Sequence, residues 1–421
     1  MSIKKSKLFS ISLLLLILVI IIASYFYNNI PNGAIITNNK INTTSNTNTL
    51  TMMYETGPNT GEYQVSSDTT WPQEGYVFND RLSKCENGSE LSWDNENKRV
   101  IVSTSVSDKC YVYFDVYAPI FSDYIINDIY TEDGENGLYY HDGIGSYTNA
   151  SQEAGDNSYR FSGANPNNYV CFGSDEETCP NDNLYRIIGV FNGQVKLIKN
   201  DYTTSGMLGT DGRDYYGAYS SSTSNYKGSM ETSTIAEYRW NYDTSVSSSG
   251  SNNWTTSEFN TINLNTNYWN YLGATWQNLI VETTWHLGGI TSSGTAKAFY
   301  DGERNNAGYG SNPTTYRDEI GLMYPSDYGY AASPDAWTND LYDYDNSTIT
   351  ASNWLYMGLV EWTIIPLSSN SSNVFYVYSS GYLISNSAVS GFAARPVFYL
   401  ESNVALQGGN GTSSDPYRLA V

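Results

Sequence analysis

The stretch NYVCFGSDEETCPNDNLYRIIGVFNGQVKLIKND, residues 168–201, sets the reading of the larger part of the chain. Two β-prone runs, Tyr185–Phe191 and Gln194–Lys199, flank Asn192-Gly193. Asn-Gly between apolar runs is a strong signal for a two-residue type I′ hairpin, because both turn residues must take positive φ. Just ahead sit Cys171 and Cys179, with Asp175, Glu176 and Glu177 between them and Asp182 after. Zinc sites favour C-x2-C spacing or histidine partners, and the only histidines are His141 and His286. A redox pair would read C-x-x-C. The spacing predicts a covalent clamp at the entrance to the hairpin.

The N-terminus bears on whether such a clamp can persist. Lys4, Lys5 and Lys7 precede a charge-free run from Leu8 to Tyr27. That run has the roughly 20 apolar residues that a bilayer-spanning helix needs. Lysines ahead of the span predict a single-pass anchor with its N-terminus inside and an extracellular C-terminal ectodomain. A cleavable signal peptide is the alternative, but Ile21-Ile22-Ala23-Ser24 offers no A-x-A-like site. Either way the rest of the chain is exported. Four cysteines in an exported chain read as two disulfides, most simply Cys85–Cys110 and Cys171–Cys179.

The formal net charge is −22, and the ectodomain, without the three lysines, is more acidic still. Nucleic-acid binders are basic, so a nucleic-acid partner is not expected. The 39 tyrosines and 10 tryptophans, set among Asn, Ser and Thr, suit an extracellular β-rich protein.

The expected order is a membrane anchor or signal peptide (1–27), a flexible Asn/Thr-rich stalk (28–50), a small cystine-bearing β-domain (51–119), a polar linker (120–165) and a larger α+β domain (166–421). In the small domain, ELSWDNENKRVIVSTSV (90–106) reads as two arms around a turn. CYVYFDVYA (110–118) alternates, with Cys110, Val112, Phe114 and Val116 on one face. This reads as an all-β, sandwich-like unit that needs a covalent staple for its size. In the linker, His141 reads as a surface histidine, and Asp133, Glu135 and Asn136 lack the EF-hand spacing. From Phe259, apolar residues at three-to-four spacing (Leu264, Tyr268, Tyr271, Leu272, Trp276, Leu279, Ile280) predict one or two amphipathic helices.

Three stretches together resemble a large, uncharacterised family of predicted surface proteins of low-GC Gram-positive gut bacteria. They are WPQEGYVFNDRLSKCENGSELSWDNENKRVIVSTSVSDKCYVYFD (71–115), GANPNNYVCFGSDEETCPNDNLYRIIGVFNGQVKLIK (163–199), and the run from TYRDEIGLMYPSDYGYA through NWLYMGLVEWTI to ARPVFYLESNVALQGGNGTSSDPYRL (315–419). The resemblance covers about residues 63–421. It implies an anchored, secreted architecture with a cystine-bearing β-domain ahead of a larger domain, and implies no activity. Trp362, Gly381, Arg395, Pro396 and Val397 resemble the closing pattern of the C-type-lectin-like fold shared with formylglycine-generating-enzyme-type domains. In that fold the arginine supports the core. The cysteine pair needed for oxidase activity has no counterpart, since no cysteine follows Cys179.

The expected function is therefore ligand binding or adhesion at the cell surface, with a glycan or a protein as partner and no enzymatic activity. Candidate contact residues are Trp337, Tyr342, Tyr344, Tyr378 and Tyr382, because aromatic faces suit sugar and protein contacts. Asp340, Asp343 and Asp345 are candidate calcium ligands beside them. A structural cell-surface subunit is the alternative. A glycan hydrolase is a further one, for which Glu282, Glu303, Glu319 and Glu361 are the carboxylates near aromatic segments. G-x-S-x-G, GxxxxGK[ST] and HExxH are all absent.

Overall fold

The computed structural model describes residues 35–38, 49–58, 60–66, 75–104, 107–144 and 152–420. The expected anchor, 1–27, lies outside them. Among the described residues no helix is long and apolar enough to cross a membrane. The chain divides into two compact units, Met1–Ala118 and Pro119–Val421, and both are built mainly of β-sheet.

The first unit contains β1 (Ile35–Asn38), β2 (Thr49–Glu55), β3 (Tyr63–Val65), β4 (Tyr76–Phe78), β5 (Lys84–Cys85), β6 (Glu90–Asp94), β7 (Arg99–Thr104) and β8 (Lys109–Val116). One sheet runs β1-β7-β6. The other runs β3-β2-β8-β4, with β5 also on β8. The alternation read in β8 holds: Cys110, Val112 and Phe114 are fully buried. They meet Val100 and Val102 of the facing sheet, and Trp93 stacks edge-on against Phe114 at 5.7 Å. Cys85 and Cys110 lie opposite one another in the β5–β8 pair and are joined by a disulfide. Most of the expected stalk, 28–50, lies outside the described residues. Of residues 28–50, Ile35–Asn38 form a strand parallel to β7, and β2 already begins at Thr49.

The second unit contains β9 (Leu138–His141), β10 (Ser158–Phe161), β11 (Tyr169–Cys171), β12 (Leu184–Phe191), β13 (Gln194–Lys199), β14 (Tyr215–Ala218), β15 (Ala236–Tyr238), β16 (Thr283–His286), β17 (Thr315–Asp318) and β18 (Gly321–Leu322). It continues with β19 (Glu361–Pro366), β20 (Asn373–Val377), β21 (Leu383–Ser387), β22 (Pro396–Tyr399), β23 (Leu406–Gly408) and β24 (Tyr417–Leu419). The main sheet has nine strands, ordered β18-β22-β13-β12-β11-β24-β23, with β10 on β12 and β9 on β10. Its centre is the hairpin of the quoted stretch. Asn192 and Gly193 take φ of 50° and 77°, as a type I′ turn requires. Both faces of β12 and β13 are covered, so their residues are buried nearly throughout. The Cys171–Cys179 disulfide closes the loop that leads into β12.

The helical expectation from Phe259 is met by short helices at Phe259–Tyr268, Trp269–Leu272 and Ala274–Gln277. Leu264, Tyr268, Leu272, Trp276 and Ile280 face the core, and Tyr271 faces solvent. The segment expected as a linker is instead part of the second unit. Phe121, Ile125, Leu138 and Phe161 are buried in its main core, and β9 and β10 extend its main sheet. A few apolar side chains at the right positions outweigh the Gly- and Asp-rich composition around them. His141 is likewise fully buried, not on the surface. Its ring lies 4.8 Å from Tyr330 and 5.0 Å from Trp337, and its Nδ1 accepts a hydrogen bond from the Ala154 N–H. Burial, then the nearby Arg160 charge, lowers its pKa well below the usual value, so the imidazole is neutral.

Candidate functional site

Three of the five expected aromatic contact residues converge. Tyr378 and Tyr382 flank the tip of the β20–β21 hairpin, where the Tyr378 N–H donates to the Tyr382 carbonyl. Their rings stack at 4.8 Å, and Tyr342 joins Tyr382 at 5.5 Å from a separate loop. The series is open to solvent: Tyr342 is 53% and Tyr378 38% exposed. Partial burial, then the neighbouring Tyr378 and Tyr342 phenols and Asp345, raise the Tyr382 pKa, so the phenol stays protonated and can donate.

The platform is held from below. The hairpin tip turns through Gly381 at φ 109°, and a Cβ there would meet Thr350 and the Tyr344 carbonyl at close range. The buried Tyr328 hydroxyl donates to the Gly381 carbonyl at 2.6 Å. On the other side, Asp340 caps the turn Leu341–Asp343 by accepting from the Tyr342 N–H at 2.9 Å and from the Ser293 hydroxyl. The Leu341 N–H donates to the Gly294 carbonyl. Rings presented on tethered loops lose little freedom on binding.

The other two aromatic candidates belong to the core. Trp337 is 2% exposed and its indole N–H donates to the Ala332 carbonyl. Tyr344 is fully buried and donates to the carbonyls of Gly329 and Ala336. Both support the surface; neither is on it. The three aspartates do not form the expected calcium cluster. Asp340 is a turn cap, and Asp343 and Asp345 are exposed. Among the described residues, the only convergence of three potential metal-ligand side chains is Cys85, Asp108 and Cys110, and those cysteines are joined in a disulfide.

The four glutamates considered for hydrolysis go to separate partners. Glu361 forms a two-pronged buried pair with Arg395. Glu303 is buried and accepts from Ser326 and Arg304. Glu282 pairs with Arg317 at the surface. Glu319 adjoins Asp318, whose pKa is pushed up to about 7 by burial and then by Glu319.

A polar pocket of about 170 Å³ opens beside the β12–β13 turn, lined by Asp156, His286, Tyr300, Arg304, Tyr324 and Tyr399 among others. Beneath and around it lie the ion pairs Arg160–Asp156 at 2.7 Å, Lys196–Asp327 at 2.5 Å and Arg304–Glu303 at 2.9 Å. Its charges are balanced internally. Burial opposes the ionised form of Asp156, but Arg160 and Ser158 outweigh it and hold the carboxyl below its usual range. Burial, Arg304 and Lys196 together lower the His286 pKa, so that imidazole is neutral at pH 7. Sequence reading missed this pocket because its residues come from β10 and the loop before it, the β12–β13 turn, β16, a helix end, β22 and the loop carrying Tyr324, with no shared spacing.

No protein-family model matches the chain, and neither a curated protein nor a solved structure matches it.

Proposed function

We propose that this protein is a membrane-anchored, extracellular ligand-binding or adhesion protein that takes carbohydrate on the platform Tyr342–Tyr382–Tyr378. The observation that carries the reading is the convergence of these rings, from separate loops, into one exposed series. Tyrosine suits the task because it offers an apolar face for stacking and a hydroxyl for hydrogen bonding. In this reading residues 8–27 hold the chain in the membrane with its C-terminal part outside, and the two disulfides support an oxidising location. The second unit is then a C-type-lectin-like domain. Support for that comes from the buried Trp362 and from Arg395, which sits in the core as the resemblance implies.

The test is binding of the purified full chain, in a neutral detergent, to a glycan and mucin panel. Binding is expected, and Tyr382→Ala is expected to weaken it roughly tenfold, the factor for about 1.4 kcal/mol of lost stacking. Because the aspartates do not converge, chelator is expected to leave binding unchanged. Glycan binding that survives Tyr382→Ala and Tyr342→Ala at full strength would remove the platform from the proposal.

A further inference from the structure

A second, larger concavity of about 320 Å³ lies elsewhere on the second unit, and its electrostatics differ from those of the balanced pocket. Two cations, Arg186 and Lys227, line it, and no carboxylate does. Seven of the twelve described Arg and Lys side chains of this unit sit in ion pairs; Arg186 and Lys227 are among the five that do not, with Lys199, Arg239 and Arg418.

Arg186 is built into the wall. It is 5% exposed, and its guanidinium lies between the rings of Tyr169, at 4.2 Å, and Trp354, at 4.6 Å. Its Nε and Nη2 donate to neutral oxygens of Asn168, Asn165 and Pro166. Those bonds fix the group's orientation without neutralising its charge. Lys227 stands at the rim, over the Tyr356 ring at 4.4 Å, and donates to the Thr350 carbonyl. Burial lowers the pKa of both groups, and no nearby carboxylate offsets it. An anion in the pocket would supply the missing counter-charge.

The rest of the pocket indicates what carries that anion. The volume exceeds what a bare oxyanion fills. Asn200 and Ser229 line it, and among the described residues neither side chain has a hydrogen-bond partner, so both can pair with hydroxyls. Tyr356 ties the wall to the platform: its hydroxyl donates at 2.7 Å to the carbonyl of Ser379, in the hairpin tip between Tyr378 and Tyr382.

We infer that this pocket is a subsite for a carboxylated sugar, with Arg186 and Lys227 receiving the carboxylate and Asn200 and Ser229 the hydroxyls. With Nε and Nη2 already engaged, Arg186 offers its Nη1 hydrogens to a carboxylate oxygen in a charge-assisted bond, and the lysine adds a point charge.

Isothermal titration of the full chain in a neutral detergent, at fixed ionic strength, tests this with sodium glucuronate, glucose and sodium sulfate as probes. Glucuronate is expected to bind and glucose to bind at least tenfold more weakly. Lys227→Met is expected to weaken glucuronate at least tenfold, and Lys227→Arg to retain it. Lys227 is at the rim, so its loss does not threaten the fold. No binding of glucuronate, equal binding of glucose, or full binding by Lys227→Met would each overturn the inference. Sulfate binding as tightly as glucuronate would overturn the assignment to a sugar. The inference does not depend on the tyrosine platform: Lys227→Met is read on glucuronate and Tyr382→Ala on the glycan panel, so the two readings fail separately.

Discussion

Replacing Glu361 by glutamine should destabilise the second unit far more than a surface change would. The Arg395 Nε meets Oε1 of Glu361 at 2.7 Å, and its Nη2 meets Oε2 at 2.9 Å. A third bond goes from Nη2 to the Leu355 carbonyl at 2.7 Å. Both side chains are at most 2% exposed, so water cannot replace a lost partner. Glutamine keeps the volume, so no cavity term enters. It removes the negative charge and turns an amide NH2 toward a guanidinium that can only donate. Breaking one side of a buried pair costs about 3–5 kcal/mol, chiefly because the remaining charge is left uncompensated. At roughly 2 °C per kcal/mol for a large domain, the melting temperature should fall by roughly 6–10 °C. Scanning calorimetry and urea midpoints on the full chain measure this. The decisive partner is the double variant Glu361→Leu with Arg395→Met, which removes both charges and is expected to recover most of the loss. A loss below about 1 kcal/mol in the single variant, or a double variant no more stable than the single, would refute the uncompensated-charge argument.

Replacing Cys171 and Cys179 by serine should cost the second unit about 2.5 kcal/mol by chain entropy, and the Cys85–Cys110 pair should cost the first unit about 3.5 kcal/mol; urea midpoints check both. Asp318 gives a pH signature. Burial and then Glu319 push its pKa up to about 7, well above the usual carboxylate range, so the folded state binds this proton more tightly than the unfolded state. Stability from this group is therefore full at low pH and is lost as pH rises through about 7. Asp318→Asn should flatten the decline in urea midpoint between pH 5 and pH 8, and an unchanged slope would count against the reasoning. Gly358→Ala should lower the melting temperature clearly, because φ is 85° there and a Cβ would land on the Asn225 carbonyl; the cost should exceed the roughly 1 kcal/mol at which an unstrained exchange acts in the opposite direction.

The sequence by itself determined what is local. Asn192-Gly193 specifies its hairpin because two adjacent residues with positive φ leave few alternatives. The alternation in 110–116 specifies which face of β8 is buried, because strand side chains point to opposite sides in turn. The periodicity from Phe259 specifies helix and most of its buried face.

Tertiary structure decided the rest. Trp337, Tyr342 and Tyr344 look alike in sequence, yet the capped turn at 341–343 sends Tyr342 into solvent while its neighbours fill the core. Residues 120–165 read as linker because polar residues dominate the count, but burial depends on where Phe121, Ile125, Leu138 and Phe161 land, not on how many there are. His141 is buried for the same reason. Arg186 and Lys227 come from a strand and a distant loop, and only the folded chain sets them in one wall without a carboxylate between them. Charge in a sequence is a sum, whereas recognition depends on which charges the fold leaves without a partner.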